Sequence, residues 1–216
     1  MLLVAVTGSL GAGKSRVAAE ISARTGAPLF NADEAVHQLY RPGGKAVNPV
    51  LRRFPDAADP AGGIDRKKLS GLLAADPDGF GDLNDIVHPL VGDARRKFLK
   101  QHESSGGWMA VLDIPLLLEG GMTNKDGADV IVVVDAPEET RRERLRRRSN
   151  MSDEKFDMLE AKQLPVGEKR ERADYIIDND GDWRKVQQDI DGILKRLVFQ
   201  ESFTSKQAKA TGGKHT

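Results

Sequence analysis

Apolar residues fall into two rhythms along this chain. Short unbroken runs cover 2–6, 27–30, "WMAVLDIP" (108–115), "ADVIVVVDAP" and "ADYIIDN". Their length and β-branched content predict buried strands. The last three end on or near Asp113, Asp135 and Asn179. Between them the apolar positions recur at three- and four-residue spacing. Such spacing predicts amphipathic helices in "RVAAEISAR" after Ser15, in "EAVHQLY" before Pro42-Gly43-Gly44, and over 138–148, 153–164 and 182 to about 199. Strands alternating with helices predict an α/β three-layer fold, a five-stranded parallel sheet with helices on both faces.

Residues 41–105 interrupt that alternation. Gly, Pro and Asp punctuate them, and the two strongest patterns are helical, "DRKKLSGLLA" and "FGDLNDIVHPLVGDARRKFLKQH". The stretch reads as a helical insertion between core strands. His88-Pro89 lies inside the second pattern, where His88 suits the core, a cap or a ligand contact equally well. The tail 200–216, "ESFTSKQAKATGGKHT" with Gln200 before it, is small and polar, and is expected to be disordered.

Composition narrows the chemistry. Cysteine is absent from the 216 residues, which excludes disulfides, thiolate metal sites and a Cys nucleophile, and fits a reducing compartment. Lys+Arg and Asp+Glu are equal at 33 each, so no global field draws the chain to nucleic acid or to a membrane. No apolar run approaches the ~18–20 residues of a membrane span. The N-terminal run is too short for a signal-peptide core and has no basic region before it. A soluble, cytoplasmic protein is the expectation.

The first strand gives way to Gly8-Ser9-Leu10-Gly11-Ala12-Gly13-Lys14-Ser15. This matches G-x-x-x-x-G-K-[ST] with a strand before it and a helix after it, the context that motif requires. Glycines let backbone N–H groups close around a phosphate, and the helix start points its positive end at the same anion. Lys14 can reach β- and γ-phosphates, and the Ser15 hydroxyl can ligate Mg²⁺. The stretch is a nucleotide cradle.

A guanine-reading switch would add N-K-x-D after a strand. Asn124-Lys125-Asp126-Gly127 has glycine where the second acid belongs and precedes a strand. Asp113 does not open D-x-x-G, because position 116 is Leu. Asp33 points instead to phosphoryl transfer. A carboxylate just past the second strand sits on the carboxyl edge, where open α/β sheets bind ligands. It could orient an acceptor hydroxyl and take its proton. The N-cap of "EAVHQLY" is an equally good role for it. Asp113 is likewise open between a Mg²⁺-organising carboxylate and a plain strand-terminal turn.

Helical spacing sorts the arginine run 141–148. Arg141 and Arg142 reach Glu138, and Arg146 and Arg147 reach Glu143. Arg144 and Arg148 have no acid at either spacing and face each other as like charges. A triphosphate suits that face, since guanidinium forks match phosphate oxygens. A solvated basic face is the alternative. No aromatics interleave with the arginines, which argues against a nucleic-acid surface.

Taken in order, "TGSLGAGKS", "NADEAVHQLYRPGG", "IDRKKL", "LNDIVHPLV", "VLDIPLLLEGG", "VVVDAPEETRRERLRRR" and "AKQLPVGEKRERADYIIDNDG" resemble the dephospho-CoA kinase family, as far as about residue 198. The resemblance implies a P-loop nucleotide-kinase-like fold. Its core would be 1–40, 106–140 and 173–199, its helical acceptor (CoA) domain 41–105, and its lid 141–172. It implies that ATP, with Mg²⁺, phosphorylates the ribose 3′-hydroxyl of dephospho-CoA to give CoA and ADP. Another nucleoside or nucleotide kinase of this fold is the alternative. A monomer or weak homo-oligomer is expected, with no nucleic-acid or membrane partner.

Carried over by position, the resemblance makes Asp33 the base, with Lys14 and Arg144 catalytic beside it. Gly8, Gly11, Ala12, Gly13, Lys14, Ser15, Arg16 and Arg148 would hold ATP, and Asn179 would lie near the adenine. Asp33, His88, Asp113, Pro115 and Leu116 would border the acceptor. Ser15 would meet Mg²⁺, with Asp113 a second candidate. The sequence departs from the family pattern at Asn31, where an acid is usual, at Asn84 for Glu, at Arg141 for Gln and at Arg16 for Thr.

Overall fold

A computed structural model describes residues 1–119, 127–149 and 151–211, with 200–211 described as backbone alone. Asn124, Lys125 and Asp126 of the guanine-motif near miss lie outside the described residues, as do Gly120 and Gly121. The strands are β1 (Leu2–Gly8), β2 (Leu29–Asn31), β3 (Met109–Asp113), β4 (Val130–Asp135) and β5 (Tyr175–Asp178). They form one sheet in the order β2-β3-β1-β4-β5, parallel at every pairing.

Alternation along β1 feeds two cores. Val4 and Val6 point to the face covered by α1 (Lys14–Thr25) and α9 (Trp183–Thr211), where Val17, Ile21, Val186 and Ile190 are buried. Ala5 joins Phe30, Leu112, Ile131 and Val133 on the other face. Each fully buried Val or Leu contributes about 1.5–3 kcal/mol relative to exposure. α9 runs past the expected end near 199 and continues as helix to Thr211, into the stretch expected to be disordered.

The helical unit has a core of its own. α2 (Ala32–Tyr40), α3 (Val47–Arg53), a 3-10 turn (Pro55–Ala57), α4 (Arg66–Ala75) and α5 (Gly79–Ser104) enclose Leu39, Val50, Phe54, Leu69, Leu73 and Val87. α5 continues through Pro89 and serves both units. Val87 packs in the helical core, whereas Phe98 and Leu99 lie on the sheet, with the Phe98 ring 5.5 Å from Phe30. The helix that begins in the insertion therefore ends as a cover of the sheet. Three further helices lie between β4 and β5: α6 (Glu138–Ser149), α7 (Asp153–Glu160) and α8 (Val166–Glu171).

Candidate active site

The glycine loop joins β1 to α1 at the centre of the carboxyl edge. Gly13 is left-handed at φ 90, and a Cβ there would meet the Asn179 amide nitrogen at 2.4 Å. Only glycine lets that amide under the loop, where it donates to the Ala12 carbonyl at 2.7 Å. Ala12 N–H and the Lys14 ammonium both donate to the Ser9 carbonyl, at 3.1 and 3.0 Å. Among the described residues, the N–H groups of Gly11, Gly13, Lys14 and Ser15 have no protein acceptor. Unspent donors at a helix start form an anion cradle. Burial pulls the Lys14 ammonium down to about 8, against the opposing pull of Asp113, Asp33 and Glu119 and with a push in the same direction from Lys169.

Asp113 and Asn31 end adjacent strands as register partners, and the Asn31 amide donates to the Asp113 carboxylate at 2.7 Å. Asp113 is 1% exposed. Burial raises its carboxyl above the usual range, opposed by the Ser15 hydroxyl, Lys14 and Asn31. Among the described residues its Oδ1 has no hydrogen-bond partner. An orphaned hard oxygen beside a hydroxyl, at the mouth of a phosphate cradle, fits Mg²⁺. That ion takes one or two protein oxygens and fills its other positions with water and phosphate. The donor set is therefore suitable without a larger acidic cluster, and none is present among the described residues.

Asn31 takes one of the two roles open to Asp33. The side chain of Asn31 caps α2 by accepting the Glu34 N–H at 2.8 Å. Asp33 lies in the first turn of α2, exposed, and its charge acts on both Lys14 and Asp113. The capping role belongs to its neighbour. Asp33 is left free at the edge.

The arginine run needs two corrections. Arg142 does pair with Glu138, and Arg147 with Glu143. Arg146 favours Asp153 at 2.7 Å over Glu143 at 3.9 Å. Arg141, however, is 5% exposed and turns away from Glu138. It forms a two-pronged pair with Glu160 of α7 at 2.8 Å, and donates to the Leu10 and Ala136 carbonyls. Arg144 has no acid, as spacing predicts, but it is not idle. It donates to the Asn179 carbonyl at 2.8 Å and the Ala12 carbonyl at 3.4 Å, directly behind the loop. Arg148 is exposed, and among the described residues it has no partner.

The remaining expected residues are spread more widely. Pro115 is tied to β1 through its carbonyl, which accepts from the Thr7 hydroxyl at 3.2 Å, while Leu116 is 53% exposed. His88 is exposed in mid-helix, which removes its core and capping roles. The Arg16 side chain lies over the Trp183 ring at 3.6 Å, so its guanidinium faces α9. Asn179, expected near the adenine, spends its side chain on the loop. Two residues escaped sequence reasoning, Gln163 and Lys169, and Glu119 entered it only as the last residue of the "DIPLLLE" segment that the resemblance sets beside the acceptor. Lys169 is 1% exposed and pairs with Glu119 at 2.8 Å, although its i−6 spacing from Gln163 carries no helical signal.

The family described as dephospho-CoA kinase matches the chain over residues 2–185. The dephospho-CoA kinase of Rhizobium etli (strain CFN 42) is 44% identical over 178 residues, 82% of this chain and 85% of the relative. That of Rhizobium meliloti (strain 1021) is 43% identical over 197 residues, 91% and 98% of the two chains. The crystal structure of TT1252 from Thermus thermophilus is similar with a TM-score of 0.75 at 30% identity, over 91% of this chain and 97% of that one. The dephospho-CoA kinase from Campylobacter jejuni, 18% identical with a TM-score of 0.59, shares the fold over 91% and 96%.

Proposed function

The chain belongs to the dephospho-CoA kinase family, and from that premise we propose how its residues divide the work of phosphorylating dephospho-CoA. The γ-phosphoryl group of ATP passes to the ribose 3′-hydroxyl, giving CoA and ADP. The observation that supports the residue assignment is an exposed Asp33 that has no part in the cap of α2 and whose charge acts on the Lys14 ammonium.

The free N–H groups of the loop take the β- and γ-phosphate oxygens, and Lys14 follows the transferring group. Asp33 hydrogen-bonds the acceptor hydroxyl, aims its oxygen at phosphorus and takes its proton late, as the loose transition state allows. Arg144 and Arg148 bring positive charge to the phosphates from the α6 side. Ser15 and Asp113 would hold the Mg²⁺ that accompanies ATP; when bound, that ion supplies charge neutralisation on the β- and γ-oxygens. The helical unit of 41–105 is the acceptor domain, with His88, Pro115 and Leu116 on its border, and 141–172 is the lid. No described helix is long and apolar enough to cross a membrane, and a cytoplasmic location agrees with substrates that are both small and water-soluble.

The test is to incubate the protein with Mg-ATP and dephospho-CoA and to locate the new phosphate by mass spectrometry and ³¹P NMR. A 3′-phosphomonoester is expected. A phosphate placed elsewhere, or ATP consumed without an acceptor product, would overturn the assignment.

A further inference from the structure

The main chain of Leu10, at the crest of the glycine loop, is held from both sides by the segment assigned as the lid. Its N–H donates to the Gln163 side-chain oxygen at 3.0 Å, and its carbonyl accepts from Arg141 at 3.1 Å. The same Gln163 oxygen accepts from the buried Lys169 ammonium at 3.0 Å, so both of its lone pairs are used. Lys169 in turn pairs with Glu119, whose carboxylate also accepts the Leu164 N–H at 3.1 Å. The fit around this clamp is close. At Gly11, left-handed at φ 78, a Cβ would meet the Arg141 carbonyl at 2.8 Å.

A phosphate cradle works when its donors are aimed before the anion arrives, because ordering them afterwards consumes binding energy. Leu10 N–H is spent on Gln163 and its carbonyl on Arg141, so the peptide groups on either side of Leu10 are fixed just before the free N–H groups of Gly11, Gly13, Lys14 and Ser15. We propose that Gln163 is a positioning residue for ATP binding: by accepting the Leu10 N–H while Lys169 and Glu119 hold its oxygen in place, it sets the shape of the phosphate loop. The proposal rests on the assigned function only in taking ATP as the ligand of that loop. Gln163 touches neither ATP nor acceptor; it acts through the loop's backbone.

The test compares Gln163→Met, which keeps length and volume but removes the acceptor, with Gln163→Glu, which keeps an oxygen for Leu10 N–H and Lys169. Affinity for the non-hydrolysable analogue AMPPNP with Mg²⁺ is measured by calorimetry well below the melting temperature, beside the full kinetic constants. Gln163→Met should raise Kd for AMPPNP and KM for ATP about tenfold, while kcat and KM for dephospho-CoA stay within about twofold. Gln163→Glu should bring AMPPNP binding back to within about threefold of the parent. AMPPNP binding by Gln163→Met equal to the parent would overturn the proposal. So would losses in kcat and both KM values that track a lowered melting temperature in both variants. AMPPNP binding needs no acceptor, so a failure of the assigned reaction would leave this outcome readable on its own.

Discussion

The Asn31 side chain bridges two structures at once: its amide donates to the Asp113 carboxylate at 2.7 Å, and its oxygen caps α2 on the Glu34 N–H. The residue that steadies the buried acid also starts the helix carrying Asp33. Asn31→Asp keeps the cap but sets a second carboxylate against Asp113, whose carboxyl burial has already raised. Like charges in contact raise a carboxyl pKa further. The folded state then binds more protons than the unfolded one, and stability falls as pH rises. Denaturant melts from pH 4 to 7 should show the variant losing stability against the parent across that window. A difference independent of pH would contradict the Asn31–Asp113 relationship.

Asp33→Asn tests the base. Because Asn31 holds the cap, the change should leave the melting temperature within about 1 °C and AMPPNP affinity within about twofold. Turnover should fall roughly 10²-fold or more, the usual contribution of a positioned base. Near-normal kcat with dephospho-CoA would remove Asp33 from the chemistry.

The two roles open to Asp33 show where sequence reasoning stops. A helix start with Asn31, Asp33 and Glu34 in four residues offers several caps, and only the observed bond from Glu34 N–H identifies the one in use. The strands were legible because their apolar runs have no other use; β3 and β4 fall within the expected stretches. α3 was not, because Val47 and Val50 flank Pro49 in a stretch broken by Pro and Gly. α8 is too short for a periodic signal, and its buried position is a lysine. Helical spacing assigned Arg141 to Glu138, three residues away; its partner Glu160 lies on another helix. Neighbours along a helix can be counted from a sequence, whereas neighbours across helices depend on packing.

Lys14 should make nucleotide binding pH-dependent. Burial holds its ammonium at about 8 instead of the ordinary 10.5. Between those values the unfolded chain binds more protons, so this group adds stability to the free enzyme as pH rises through that window. ATP favours the charged form, so its affinity should do the reverse and weaken above about pH 8. Calorimetric Kd values for AMPPNP should rise between pH 8 and 9.5, and Lys14→Met should flatten that rise while weakening binding at pH 7. A parent Kd constant to pH 9.5 would contradict the buried placement of the ammonium.

Arg144 and Arg148, alike in sequence, should behave differently. Arg144 serves the Asn179 and Ala12 carbonyls, so Arg144→Ala should lose about 1 kcal/mol of stability along with turnover. Arg148→Ala should lower turnover without moving the melting temperature. Equal melting temperatures for the two variants would mean that the Arg144 contacts carry no stability.

We propose that this glycine loop serves a ribose hydroxyl of dephospho-CoA and no smaller acceptor. It is tested most directly by kcat/KM under identical Mg-ATP conditions for dephospho-CoA, AMP, CMP and adenosine. A value for dephospho-CoA at least about a hundredfold above the others is expected, with CoA as the product. Comparable or faster phosphorylation of a nucleoside monophosphate would contradict it.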